Sequence, residues 1–197
     1  MGELLQKAIE YAVEKHSGDV RKGTSIPYIV HPVEVMKITS GITEDEEVRA
    51  AAVLHDTVED TGATQNDIRE RFGDRVCGLV LAESENKREG IPEVETWEIR
   101  KRETVEKLEH ADRDAKIICL ADKLANIRDI YRDYKKYGEK LWGRFSAPDD
   151  NNGNAGKKAR IGGYYRGIAD GLKSELRDEP AWKELDELTA KVFEGKN

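Results

Sequence analysis

The stretch AAVLHDTVED, residues 51 to 60, sets His55, Asp56, Glu59 and Asp60 close together in an otherwise apolar segment. Left unpaired and buried, each charge would cost several kcal/mol, more than a marginally stable domain tolerates. On a helix, neighbouring residues stand about 100° apart and residues four apart share a face. His55 and Asp56 therefore lean toward one point, with Glu59 and Asp60 one turn further on, and a shared cation is the natural occupant. Two further candidate ligands are His31, at the opening of HPVEVMKI, and Asp122, inside IICLADKLANI. Taken singly, His31 before a proline also reads as a cap or turn residue, Asp122 as an ion-pair partner, and Glu59 with Asp60 as ordinary surface acids. Together, two imidazoles and two carboxylates suit Mn²⁺, Fe²⁺ or Zn²⁺ better than Ca²⁺, and the absence of thiolates argues against structural zinc. Four protein ligands on a six-coordinate ion leave positions for water and substrate, the arrangement of a catalytic centre.

The elements that must position these groups follow the helical period. Leu5, Ala8, Ile9, Ala12 and Val13 form one apolar stripe, and Val48, Ala51, Ala52 and His55 another, with Leu54 beside it. Pro32 sits where a helix-opening proline would, Gly62 closes the LHDTVED helix, and Thr64 with Asp67 resembles a capping box opening QNDIRERFG. Further helices are expected over RVCGLVLAESE, TWEIRKRETVEKLEHA, RDAKIICLADKLANIRDIYRDYKKYG and AWKELDELTAKVF. No segment alternates as a strand would. Two loops interrupt the pattern, SGDVRKGTSIPY before His31 and SAPDDNNGNAGKK at 146 to 158. The expectation is an all-α bundle of roughly eight to ten helices.

At 197 residues the chain is long enough for one well-packed domain, and a single domain over 1–197 is expected, with 138–197 its least characterised part. The net charge of -7 argues against general binding to nucleic acid or to an anionic membrane, which both need a basic surface. The N-terminal MGELLQKAIEYAVEK carries charges throughout and resembles neither a signal peptide nor a transmembrane segment. Cys77 and Cys119 are far apart, and Cys119 in KIICLAD reads as a buried free thiol, so an intracellular, cytoplasmic protein is expected. Nothing in the sequence sets an oligomeric state.

RKGTSIPYIVHP, AAVLHDTVEDT, WEIRKRETVEKL and LADKLANIRDI, in this order over about residues 1 to 135, resemble the HD-domain metal-dependent phosphohydrolases. Within them the similarity is to the hydrolase domain of RelA/SpoT-type enzymes and to the small stand-alone alarmone hydrolases. The resemblance implies a multi-helix HD-domain bundle in which His31, His55, Asp56 and Asp122 hold a metal, usually Mn²⁺. It implies that Glu59 and Asp60 position or deprotonate the attacking water; a carboxylate one turn from the ligands can take that proton, and Glu59 is the preferred base. Arg21 would stack on guanine, Lys22 would approach the base or its phosphates, and Asn126 would contact the nucleoside. The implied reaction removes the 3′-pyrophosphate of ppGpp or pppGpp, giving GDP or GTP and pyrophosphate.

Two other readings stand beside this one. Asp129 occupies a position where the alarmone hydrolases often carry a small hydroxyl residue, and the segment from 138 to 175 departs further. These features leave open an HD phosphohydrolase acting on another nucleotide, such as NADPH or a nucleoside phosphate. A non-catalytic, nucleotide-sensing HD module would need a broken site, whereas every expected ligand and both acids are present.

Overall fold

In a computed structural model, described for residues 2–88 and 90–195, the chain is helical throughout. The helices are α1 (Glu3–Lys15), α2 (Val30–Ser40), α3 (Glu46–Leu54), α4 (Thr57–Asp60), α5 (Gln65–Glu83), α6 (Glu93–His110), α7 (Arg113–Tyr137), α8 (Gly153–Leu176) and α9 (Pro180–Thr189). A 3-10 turn, Gly138–Arg144, follows α7, and a π turn, Ala190–Glu194, follows α9. Among the described residues no strand occurs; an isolated antiparallel bridge joins Val20 to Pro27. No helix among them is long and apolar enough to cross a membrane. The all-α expectation holds.

Two compact units make up the chain, the first Met1–Ser84 with Ala111–Ala125, the second Glu85–His110 with Asn126–Asn197. In the first, α3 is the central element. Val48 and Ala50 through Leu54 are all fully buried, as expected where five successive apolar residues leave the end of a helix without a polar face. Its alanines let α1, α2 and α5 approach closely, and Ala8, Ala12, Val35, Ile68, Val76, Ile118 and Ala121 complete the core around it. The N-terminus of α3 is capped by Asp45, which accepts from the Glu47 and Val48 amides. Arg75 ties that cap down, pairing with Asp45 at 2.9 Å, Glu47 at 2.6 Å and Asp114 at 2.7 Å.

Helix α5 opens with the expected capping box, Thr64 and Asp67 each bonding the other's backbone amide. It is interrupted at Gly73, whose φ of +89° and ψ of 170° only glycine adopts without strain. The two helices expected here, QNDIRERFG and RVCGLVLAESE, are thus present and meet at a kink at Gly73. The loop expected at 146 to 158 is shorter in the structure, because α8 already begins at Gly153. Asn and Gly suggested a loop there, yet Ala155, Lys157, Lys158 and Ala159 are good helix formers. In the second unit α8 packs on α6 and α9. Trp142, Ile168, Leu172 and Leu185 are fully buried there, and the Tyr165 ring stacks on Phe193.

Candidate metal centre

One difference from the sequence reading lies at the centre of the site. His55 and Asp56 do not sit within a continuous helix but form the two-residue break between α3 and α4. The backbone ladder stops because side chains take its acceptors. The His55 Nδ1 lies 2.9 Å from the Ala52 carbonyl, and the Thr57 hydroxyl donates to the Leu54 carbonyl at 2.6 Å. The ladder resumes in α4, where the Asp60 amide donates to the Asp56 carbonyl.

This break fixes which nitrogen of His55 faces the site. With Nδ1–H donated to Ala52, Nε2 is the nitrogen left for a cation or for the titrating proton. His31, second residue of α2, points its own Nε2 to the same place, 3.0 Å from Asp122 Oδ1 and 3.6 Å from Asp56 Oδ2. His55 Nε2 lies 3.1 Å from Asp56 Oδ2 and 3.6 Å from Asp122 Oδ1. His31, His55 and Asp122 are buried, their ligand atoms all within 4.8 Å of one another. The structure therefore brings together all four residues that the sequence offered as ligands.

The donor set fits a divalent cation. His55 Nε2 is buried and has no hydrogen-bond partner, although two carboxylate oxygens face it. Two imidazole nitrogens and two carboxylates converge there without a thiolate, a combination that transition-metal dications accept. Without a cation the acids act on the imidazole instead. Burial alone would lower the basicity of His55, but Asp56 and Asp122 overcome it and hold the ring well above the ordinary histidine range. Burial likewise opposes ionisation of Asp122, and Lys123 with the two histidines outweighs it, so its carboxyl stays well below the usual range. Asp56 is lowered too, burial being overcome chiefly by His55.

The remaining sequence candidates lie on α4, in the segment before α2 and on α7. Glu59 is half-buried on α4, and Asp60 is exposed at its end, 3.1 Å from the Tyr28 hydroxyl. The segment from Asp19 to Tyr28 is a small hairpin closed by the Val20–Pro27 bridge. Its turn runs Arg21 to Thr24 with Gly23 at φ +75°, a position that favours glycine. The Arg21 guanidinium lies over the Tyr28 ring, 5.7 Å from its centroid, and Lys22 is exposed at the turn. Asn126 follows Asp122 by one turn of α7, is half-buried, and belongs to the second unit.

Three groups escaped the sequence reading. Tyr28 donates to Asp56 Oδ2 at 2.6 Å; its only signal was its place three residues before His31. His16 is buried against the Tyr28 ring, centroids 4.8 Å apart. Glu83, at the end of α5, is pushed up to about 7, first by burial and further by Asp122, against the pull of Lys123. Cys77 and Cys119 are both buried free thiols, as expected for Cys119. Several cations of the second unit are engaged within it, Arg128 with Glu184, Lys157 with the Phe145 carbonyl and Lys158 with Glu139.

A profile of the HD domain matches residues 8–147. The chain is 39% identical over 132 residues to the zebrafish guanosine-3′,5′-bis(diphosphate) 3′-pyrophosphohydrolase MESH1, spanning 66% of this chain and 70% of that protein. With human MESH1 the identity is 42% over 132 residues, spanning 65% and 70%. Among solved structures, one reported as a metazoan ortholog of SpoT that hydrolyses ppGpp superposes with a TM-score of 0.75 at 28% identity, covering 97% of this chain and 96% of that one. The chain belongs to the HD-domain family.

Proposed function

We propose that this protein is a metal-dependent phosphohydrolase that removes the 3′-pyrophosphate from ppGpp or pppGpp, yielding GDP or GTP and pyrophosphate. The observation that carries the reading is the buried convergence of His31, His55, Asp56 and Asp122 in a chain about 40% identical to relatives named for this reaction. These four residues hold the cation, which on our reading is Mn²⁺. When bound it supplies positive charge for the phosphoryl oxygens and makes water more acidic.

The chain's own groups do the rest. Glu59, half-buried one turn beyond His55, accepts the proton from the attacking water, and Asp60 orients that water. Arg21 presents a planar cation to the guanine, Lys22 an ammonium to base or phosphate, and Asn126 an amide to the nucleoside. Asp129 is no bar to a phosphorylated substrate, because Arg132 pairs with it at 2.7 Å and offsets its charge. The HD match from 8 to 147 draws on both units and supports reading the chain as one hydrolase domain. A free nucleotide substrate and two free thiols fit a cytoplasmic enzyme.

The test is turnover with Mn²⁺ on ppGpp, pppGpp, NADPH and GTP, with identification of the released group. Pyrophosphate with GDP from ppGpp is expected. Orthophosphate from NADPH, without turnover of ppGpp, would overturn the assignment in favour of another nucleotide.

A further inference from the structure

Tyr28 meets two candidate ligands, one of the acids and a hairpin cation at once. Its hydroxyl is 2.6 Å from Asp56 Oδ2 and 3.1 Å from Asp60 Oδ2, while its ring and the His31 ring meet nearly at right angles with centroids 6.0 Å apart. The Arg21 guanidinium lies over that ring, and His16 is packed against it. Asp56 Oδ2 is the oxygen that also faces both histidine Nε2 atoms. A carboxylate oxygen offers two lone-pair directions. With the phenol on one, the other is turned toward the imidazoles.

From this geometry we infer that Tyr28 is a positioning residue, whose hydroxyl locks the metal-facing oxygen of Asp56 and holds Asp60 in register with it. The inference rests on the proposed function only for the role of Asp60; the Asp56 part concerns cation binding alone. Asp56 and Asp60 are like charges one helical turn apart, and a shared donor offsets their repulsion. The phenol is suited to this, since burial and then the two carboxylates push its ionisation far up, leaving the proton in place to be donated. Partners that orient a metal ligand in this way are typically worth about 10- to 100-fold in metal affinity or activity.

The experiment uses Tyr28→Phe, which keeps the ring and its packing on His16 and removes only the hydroxyl. Mn²⁺ binding to metal-stripped protein is measured by titration calorimetry or by the loss of the free-ion magnetic resonance signal. Tyr11→Phe serves as a control, because the Tyr11 hydroxyl is buried in the same unit without a partner. The expected result is Mn²⁺ affinity about tenfold weaker in Tyr28→Phe and unchanged in Tyr11→Phe. Affinity within twofold of the parent in Tyr28→Phe overturns the inference for Asp56. At saturating Mn²⁺ the variant is expected to lose kcat with KM retained, and a parental kcat overturns it for Asp60. Should the parent protein fail to cleave ppGpp at all, the proposed function falls while the binding comparison still decides the Asp56 part.

Discussion

His31 Nε2 stands 3.0 Å from Asp122 Oδ1, although one residue opens α2 and the other lies in the middle of α7. Both are buried, and both are carried by elements whose apolar residues belong to the core of the first unit. Packing of these elements brings the pair together, and their hydrogen bond adds to it. A histidine and a carboxylate so placed are pre-organised to share a cation, and the second carboxylate oxygen is kept in line by Lys123.

Removing a ligand should therefore remove the metal without unfolding the unit. Asp122→Asn keeps the shape of the side chain but weakens its donor, and His55→Gln removes the buried imidazole. Each is expected to abolish stoichiometric Mn²⁺ binding and to reduce kcat/KM by at least about 100-fold, the equivalent of ~3 kcal/mol of transition-state stabilisation. Metal analysis of the purified variants, with circular dichroism as the check on folding, decides the matter. A folded Asp122→Asn protein with full metal content would remove Asp122 from the ligand set.

The two acids of α4 should separate from the ligands. Glu59→Gln is expected to bind Mn²⁺ as the parent does and to lose kcat by roughly 10²- to 10⁴-fold, the usual range for a general base. Asp60→Asn should lose less, about tenfold, because it acts by orientation. Single-turnover kinetics at saturating metal distinguish them. Parental turnover by Glu59→Gln would end its assignment as the base.

Much of this centre was legible because His55, Asp56 and Asp122 interrupt apolar runs, where an unpaired charge has no cheap explanation. The helices were legible for the same reason, their apolar stripes being long and regular. What stayed hidden depends on contacts between elements. Whether Thr57 and His55 would take the carbonyls that end α3 cannot be inferred from a helical stripe that runs through them. Tyr28 carries no distinct signal in the sequence, since only folding brings its hydroxyl to Asp56. The start of α8 was obscured by Asn and Gly, whose turn preference is overridden once Ala155 and the lysines propagate the helix.

The hairpin carrying Arg21 and Lys22 should govern binding more than chemistry. Arg21→Ala is expected to raise KM for ppGpp about tenfold, with kcat within a factor of about three of the parent, the signature of a contact equal in ground and transition states. Because its guanidinium is only half-buried and rests on Tyr28, some contribution will depend on salt. Steady-state kinetics at two ionic strengths test this. An unchanged KM would place the guanine contact elsewhere.

The break in α5 gives a prediction about stability alone. An added Cβ at Gly73 would meet nothing within 4 Å, so the cost of Gly73→Ala is conformational rather than steric contact with neighbours. Forcing an L-residue into this glycine-only region costs about 1–3 kcal/mol. The variant should melt several degrees lower while binding Mn²⁺ as the parent does at 20–25 °C. A melting temperature equal to the parent's would mean the break can straighten.

The pH dependence of metal stabilisation follows from the electrostatics of the metal-free cluster. His55 is raised well above 6.5 because Asp56 and Asp122 outweigh its burial. In the metal-free protein its stabilising contribution is therefore complete below about pH 6.5 and fades as pH rises through the raised value. The lowered carboxyls of Asp56 and Asp122 contribute above the ordinary carboxylate range and are lost only in acid. Around neutrality the proton on His55 is thus the group that competes with the cation, and it must leave when metal binds. Two consequences can be measured. Mn²⁺ binding should release protons at pH 7, seen as a calorimetric enthalpy that changes between phosphate and Tris buffers. The gain in melting temperature on adding saturating Mn²⁺ should grow steadily from pH 6 to pH 8, as the proton becomes easier to displace and the metal-free state loses its own stabilisation. A gain that is flat or falls across this range would show that His55 is not protonated in competition with the metal.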